Sequence, residues 1–299
     1  MKDYVADFQK KIAEIDADCQ NINIINAGNM NHGKSSLFNS IMNRDVFESE
    51  DVRTTVENKS VNWFGNVFLI DTPGLSAEES DDVVAYDAYK RANMIIFVHN
   101  IQVGELHENE LNAINKIKNL FNNDEFFCKH FCVAFTFKES DSEENINLIV
   151  EKSLNDIKNH CGISEFKNFL VSNSDYQKGF AEDKKLLVKE SGITELRNYL
   201  TKSFDEWNNE NKYFRGMRIS NEKKIFLDAL KIERDKINST IKNKTAELKN
   251  NQKKFLHKVE SVVNQRRNDE KDLEYHRSQL YSLKNNLENT RTRWNNERF

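Results

Sequence analysis

The chain has 299 residues, 44 Lys+Arg against 48 Asp+Glu, and a formal net charge of −4. Nine Gly and a single Pro are too few for an all-β sandwich or barrel, whose tight turns need both, and they favour long helices. No run approaches the roughly 18 to 20 apolar residues of a membrane-spanning helix, and Met1-Lys2-Asp3-Tyr4 carries no apolar signal region.

Val5, Phe8, Ile12, Ile15 and Cys19 are spaced 3, 4, 3 and 4, which predicts a short N-terminal helix with a heptad seam. Apolar strand-like runs follow at 22–26, 56–64, 67–70, 94–99, 131–137 and 169–171. Helical patterns follow Lys34, Glu105, Glu143 and Thr194. Such alternation predicts an α/β fold: a mostly parallel sheet flanked by helices. Cys19, Cys128, Cys132 and Cys161 lack metal-ligand spacing and read as reduced thiols of a cytoplasmic protein.

The pattern changes near Thr201. From Met217 onward there is no Gly or Pro. Ile241, Leu248, Phe255 and Val262 recur every seven residues, and so do Leu273, Leu280, Leu287 and Trp294. The step of eleven from Val262 to Leu273 reads as a stutter between two blocks. The companion position is often polar (Lys244, Asn251), so the seam is thin and needs a partner. A helical hairpin or short bundle is the expectation. This tail holds 20 basic and 12 acidic residues, whereas the preceding part holds 24 and 36. The division expected is an N-terminal helix at 1–20, a nucleotide-binding domain at 21–205 and a helical stalk at 206–299.

Gly28-Asn29-Met30-Asn31-His32-Gly33-Lys34-Ser35 fits G-x-x-x-x-G-K-[ST], between an apolar strand and a helix that continues through Ser36. Glycines let the backbone curl so that the N–H groups of Asn29 through Ser36 face phosphate oxygens, and the helix N-terminus adds its positive end. Lys34 then reaches the terminal phosphates and Ser35 holds Mg²⁺. Asp71-Thr72-Pro73-Gly74 directly follows the run at 67–70. Asp71 reads as the second Mg²⁺ residue and Gly74 as a backbone donor to the γ-phosphate. Between them, Thr55, or alternatively Thr54, is placed to bind Mg²⁺ and the γ-phosphate in a switch segment.

Gly28 through Ser36 followed by Leu37-Phe38-Asn39-Ser40-Ile41, the Thr pair, and Asp71-Thr72-Pro73-Gly74-Leu75 together resemble the translation-factor-like P-loop GTPases, in their Era-like and bacterial dynamin-like branch. The resemblance covers about 20–205. It implies a GTPase domain that hydrolyses GTP to GDP and phosphate with Mg²⁺. The flanking helices look dynamin-like. That likeness implies nucleotide-dependent dimerisation of the heads, or hetero-assembly with another dynamin-like chain, and a stalk for membrane or partner remodelling with peripheral membrane contact. The alternatives are a regulatory GTP-binding switch and an Era-like ribosome-associated GTPase; without an RNA-binding signature, nucleic acid is the less favoured partner.

Such GTPases read guanine with Asn/Thr-Lys-x-Asp after the fifth strand. Here Phe135-Thr136-Phe137-Lys138-Glu139-Ser140-Asp141 stands in that place. Lys138 is expected along the base, with Asp141 or Glu139 as the acid. Ser172-Asn173-Ser174 resembles the loop that meets guanine O6. Leu75 stands where some small GTPases carry a water-orienting Gln, so another group must supply that role. Asn31 matches the Asn that holds K⁺ in the potassium-activated relatives, which implies K⁺ as a second cation. Arg44 and Arg53 are further candidates for charge stabilisation.

Overall fold

The computed structural model describes residues 4–47, 58–75, 79–121, 123–163 and 165–296, with the backbone alone for 79–83 and 294–296. Two compact units result, 1–226 and 227–299.

The first unit is built on a six-stranded sheet. In chain order its strands are β1 (Ile22–Ala27), β2 (Lys59–Phe64), β3 (Val67–Asp71), β4 (Met94–Asn100), β5 (Phe131–Thr136) and β6 (Lys167–Leu170). The spatial order is β2-β3-β1-β4-β5-β6, parallel throughout except for the β2–β3 pair. β1, β4 and β5 are buried at every position, as expected for central strands covered by helices on both faces. Their residues alternate between two cores. Ile25, Ile95, Phe97, Val133 and Phe135 face one; Ile24, Met94, Ile96 and Val98 face the other. The expected mostly parallel sheet is therefore present.

Helices α1 (Tyr4–Asp18), α2 (Lys34–Met42), α3 (Glu79–Tyr89), α4 (Glu108–Lys118), α5 (Asp124–Lys129), α6 (Glu143–Cys161), α7 (Asn173–Ala181), α8 (Lys185–Glu190) and α9 (Ile193–Lys202) flank or connect the strands. Helix α10 then runs without interruption from Phe204 to Asn296. The hairpin expectation is thus corrected. No Gly or Pro interrupts the chain after Gly216, so nothing terminates the helix where a turn was expected.

The start of α10 is anchored on the first unit by Trp207, Phe214 and Met217, all buried. Glu210 accepts from His130 Nε2 at 2.8 Å, and Asn211 Oδ1 accepts from Asn93 at 3.0 Å. Helix α1 lies against the same stretch. Phe8 stacks on Phe226 with ring centroids 4.7 Å apart, Arg215 meets Asp16 at 2.6 Å, and Arg218 meets Asp18 at 2.8 Å. Arg218 is buried and also donates to the Arg91 carbonyl.

Candidate functional site: the phosphate loop and its base-side wall

The loop after β1 needs backbone that L side chains avoid. Gly28 has φ 136°, and a Cβ there would lie 2.2 Å from the Val98 carbonyl oxygen, so only glycine lets the loop leave the sheet beside β4. Gly33 has φ 84° and caps the N-terminus of α2. Asn31 also takes a left-handed conformation, φ 63°, and its side chain is exposed beside exposed Met30. Asn is the residue that tolerates this region best after glycine.

Lys34 is buried under the loop, where its Nζ donates to the Asn29 carbonyl at 2.8 Å. Burial pulls its ammonium down to about 8, partly offset by the Asp71 carboxylate. An ammonium so desolvated is set to be compensated by an arriving anion. Ser35 Oγ donates to Asp71 Oδ2 at 2.7 Å, and Asn26 donates to Asp71 Oδ1. A hydroxyl and a carboxylate oxygen thus converge beside a buried lysine. This hard-oxygen donor set fits Mg²⁺, which retains water and takes few protein ligands. Ser35 and Asp71 would hold Mg²⁺, which would supply positive charge to the phosphates. Ser36 follows at the third position of α2, half-buried.

Asp71 ends β3, and Thr72 is locked behind it by its N–H and Oγ1 to Asn26 Oδ1 and O at 2.9 and 2.8 Å. A Cβ on Gly74 would come within 2.6 Å of the Met30 backbone, so Gly74 is glycine because the phosphate loop passes against it. Leu75 N donates to the Gly28 carbonyl at 3.1 Å while the Leu75 side chain is buried in the core. An apolar side chain turned into the core orients no water. Thr54, Thr55 and Arg53 lie outside the described residues. Arg44 is exposed and donates to the Asn62 carbonyl at 3.4 Å.

Beneath the loop, His32 Nδ1 is 3.4 Å from Glu110 Oε1, and His99 Nδ1 is 2.9 Å from the same oxygen. The three side chains are buried, with ligand-type atoms within 4.8 Å of one another. Their remaining polar atoms are occupied: His99 Nε2 meets the Gly104 carbonyl at 2.9 Å, Glu110 Oε2 accepts from His107 N at 3.1 Å, and His32 bonds the Val98 backbone. The cluster is held together by protein hydrogen bonds without an ion. Burial lowers His32 to about 4, against the attraction of Glu110.

The base-side wall differs from the expectation in its register. Thr136 Oγ1, at the end of β5, donates to the His32 carbonyl at 2.8 Å and meets the His99 carbonyl at 3.1 Å. It ties β5 to the phosphate loop, the position that begins an Asn/Thr-Lys-x-Asp motif. Phe137 follows in a left-handed conformation, φ 64°. Glu139 then accepts from Ser174 in the neighbouring loop. Lys138 instead donates to the Glu190 carbonyl at 2.9 Å. Asp141 is exposed and accepts from Ser142 N and Asn145 Nδ2 at the start of α6, bonds that hold its carboxyl below the usual range. Lys138 and Asp141 thus bond away from the 172–174 loop, whereas Glu139 bonds to it. Thr136 was not singled out from sequence, although a hydroxyl residue ending a strand opposite a phosphate loop is its signal.

Ser172 caps α7 by accepting from Asp175 N at 3.0 Å. Asn173 Nδ2 donates to the Gly33 carbonyl at 3.4 Å, while its Oδ1 is buried with no protein partner. Such an oxygen is costly unless a ligand or water satisfies it.

Over residues 22–216 the sequence matches the AIG1 family. The chain belongs to the AIG1 family. Its 22–216 region is a P-loop GTPase domain of that family. An uncharacterised protein from Acinetobacter baylyi is 26% identical over 192 residues, covering 58% of this chain and 40% of that protein. The match thus spans well under half of that relative's length. A solved bacterial dynamin pair, described as an oligomerised mechanism for long-range sensing and tethering of membranes, has TM-score 0.52 and 14% identity over 79% of this chain and 58% of its own. Toc33 from Arabidopsis thaliana with GDP and Mg²⁺ has TM-score 0.43 and 19% identity over 56% of this chain and 79% of its own. For this AIG1 chain, the dynamin likeness concerns the fold.

Proposed function

We propose that this chain hydrolyses GTP to GDP and phosphate with Mg²⁺, and that pairing of two GTPase heads across the nucleotide stimulates turnover. The convergence of Ser35, Asp71 and buried Lys34 carries the hydrolase reading. Lys34 neutralises β/γ-phosphate charge, the backbone N–H groups of the loop orient the phosphates, and Gly74 stands ready as a donor beside Met30. Thr55 completes the Mg²⁺ shell from the switch segment. Glu139 is the carboxylate that reads guanine N1 and N2, with Asn173 and Ser172 bordering the base. This assigns Glu139 the position of the motif acid, three residues after Thr136.

Leu75 leaves the attacking water without an orienting side chain. That vacancy supports activation from outside one head. Exposed Asn31 at the loop surface supports K⁺ as the cation that a facing head would enclose. The dimerising and remodelling part of the reading also draws on the bacterial dynamin pair's fold, with 21–205 as head, 1–20 packed on the stalk and 206–299 as stalk. The free thiols of all four cysteines support a reducing cytoplasmic setting, and the dynamin-like reading adds peripheral membrane contact. No helix of the described residues is long and apolar enough to cross a membrane. The same Leu75 favours a second reading, a slow regulatory switch whose GTP state recruits a partner.

The experiment is phosphate release from GTP and from ATP across a wide protein concentration range, in K⁺ and in Na⁺ buffer. GTP turnover whose specific activity rises with concentration supports the dimer-stimulated mechanism. Flat, slow GTP turnover selects the switch. Turnover of ATP alone overturns guanine recognition.

A further inference from the structure

Every described side chain from residue 234 to residue 293 of α10 is exposed, so its apolar seam faces water. Ile241, Leu248, Phe255, Val262, Leu273 and Leu280 are each 58–68% exposed. A continuous stripe of this kind marks a contact surface rather than scattered surface apolar residues.

The spacing of the stripe identifies what covers it. The eleven-residue step from Val262 to Leu273 divides into steps of four, three and four through Arg266 and Asp269. With Thr245, Gln252 and Val259 as the companion positions instead of Lys244 and Asn251, the 3,4 seam continues without the stutter expected above. What changes is which of its two core positions carries the large apolar side chain. Before the step it is the one numbered with Ile241 and Leu248; after it, the alternate one, with Leu273 and Leu280. Antiparallel coiled coils set one core position of a helix against the other core position of its partner.

We propose that residues 234–287 form an antiparallel two-stranded coiled coil with the same residues of a second copy of this chain, about a two-fold axis between Glu260 and Ser261. In that register Ile241 faces Leu280 of the second copy, Leu248 faces Leu273, and Val259 faces Val262. Leu256 and Val263, beside the seam, cover each other. The contact is isologous, the same patch meeting itself, as a closed two-fold dimer requires.

Charge selects the same arrangement. Residues 242–258 hold six Lys and one Glu, whereas 269–274 hold four acids and one Lys. Antiparallel pairing sets Lys249 beside Glu270. It also sets Arg266 over the Phe255 ring, a cation–π pairing. A parallel in-register pair would stack the lysine block on itself and place Asp269 against Asp269 and Arg266 against Arg266 in the seam. Like charges so placed are unfavourable, which is how such residues set coiled-coil orientation.

The test uses the full chain without nucleotide, so that head pairing across GTP does not contribute. Sedimentation at tens of micromolar should give the mass of two chains, and the double variant Val259→Lys, Val262→Lys should give one. Orientation is read by mixing Leu248→Cys chains with Leu273→Cys chains under mild oxidation, with the wild-type chain controlling for native thiols. Disulfide formation between the two variants, and not within either alone, is the expected result. A monomeric wild type, a dimer untouched by the two lysines, or cross-linking of Leu248→Cys chains to themselves would each overturn the proposal.

Discussion

Ser35 Oγ donates to Asp71 Oδ2 at 2.7 Å, joining the first turn of α2 to the end of β3 across 36 residues of sequence. The two oxygens belong to different elements that the parallel pairing of β1 and β3 brings level, through the register Ile25 to Ile70. The metal-binding pair is therefore a consequence of the sheet.

Ser35→Ala removes one of these oxygens with little change in volume. GTP hydrolysis should fall about 100-fold or more, the usual cost of losing one preorganised electrostatic contact. Phosphate release at saturating Mg²⁺ reads it. Thermal unfolding of the nucleotide-free variant should stay close to wild type, since the serine is only part-buried.

Glu139→Gln tests the base-side register. It removes the charge-assisted hydrogen bonds proposed to guanine, so GDP affinity should fall about 10- to 100-fold. Asp141→Asn should bind as wild type does, because that carboxylate is engaged with Ser142 and Asn145. Titration with a fluorescent GDP analogue separates them. Equal loss in both variants, or loss only in Asp141→Asn, would return the acid to Asp141.

The His32 imidazole sets an acid limit on the nucleotide-free fold. Its folded value, about 4, lies below the ordinary 6.5, so the unfolded chain binds the proton more readily. Stability is complete above about pH 6.5 and is lost as pH falls toward 4. Glu110, held below its usual value against burial, adds a loss that begins lower still. Denaturant unfolding at pH 5 should show about 2 kcal/mol less stability than at pH 8. His32→Gln should remove most of the change between those two pH values.

Gly28→Ala places a methyl 2.2 Å from the Val98 carbonyl oxygen at φ 136°. Relief requires β1 and β4 to part, so destabilisation of about 3 kcal/mol or more is expected, measured by denaturant midpoint. Gly65→Ala, with nothing within 4 Å and φ 51°, carries only backbone strain and should cost about 1 kcal/mol.

The phosphate loop, the Asp71 turn and the α/β alternation were legible in the sequence because each depends on neighbours in the chain. Glycine spacing sets the loop's left-handed backbone, and apolar runs of strand length declare buried strands. Glu139 was harder to choose, because its partner Ser174 lies 35 residues away and reaches it only through the β5–β6 pairing. Likewise nothing near His32 announces Glu110, which arrives from α4 across 78 residues. The continuous α10 was the reverse case. Its lack of Gly and Pro already spoke for one helix, while the thin seam left its partner open between the N-terminal helix, a folded-back stretch of itself and another chain.

By itself, then, the sequence determined a phosphate loop, the Asp71 turn proposed to share Mg²⁺ with Ser35, and a heptad-patterned tail, all written in local spacing and backbone preference. Only the tertiary structure decided the strand order, the engagement of Asp141 with Ser142 and Asn145, the turning of Leu75 into the core, and the burial that pulls Lys34 and His32 down. Those depend on which surfaces lose water together. Desolvation and cross-strand register are properties of the packed sheet, and no stretch of chain carries them alone.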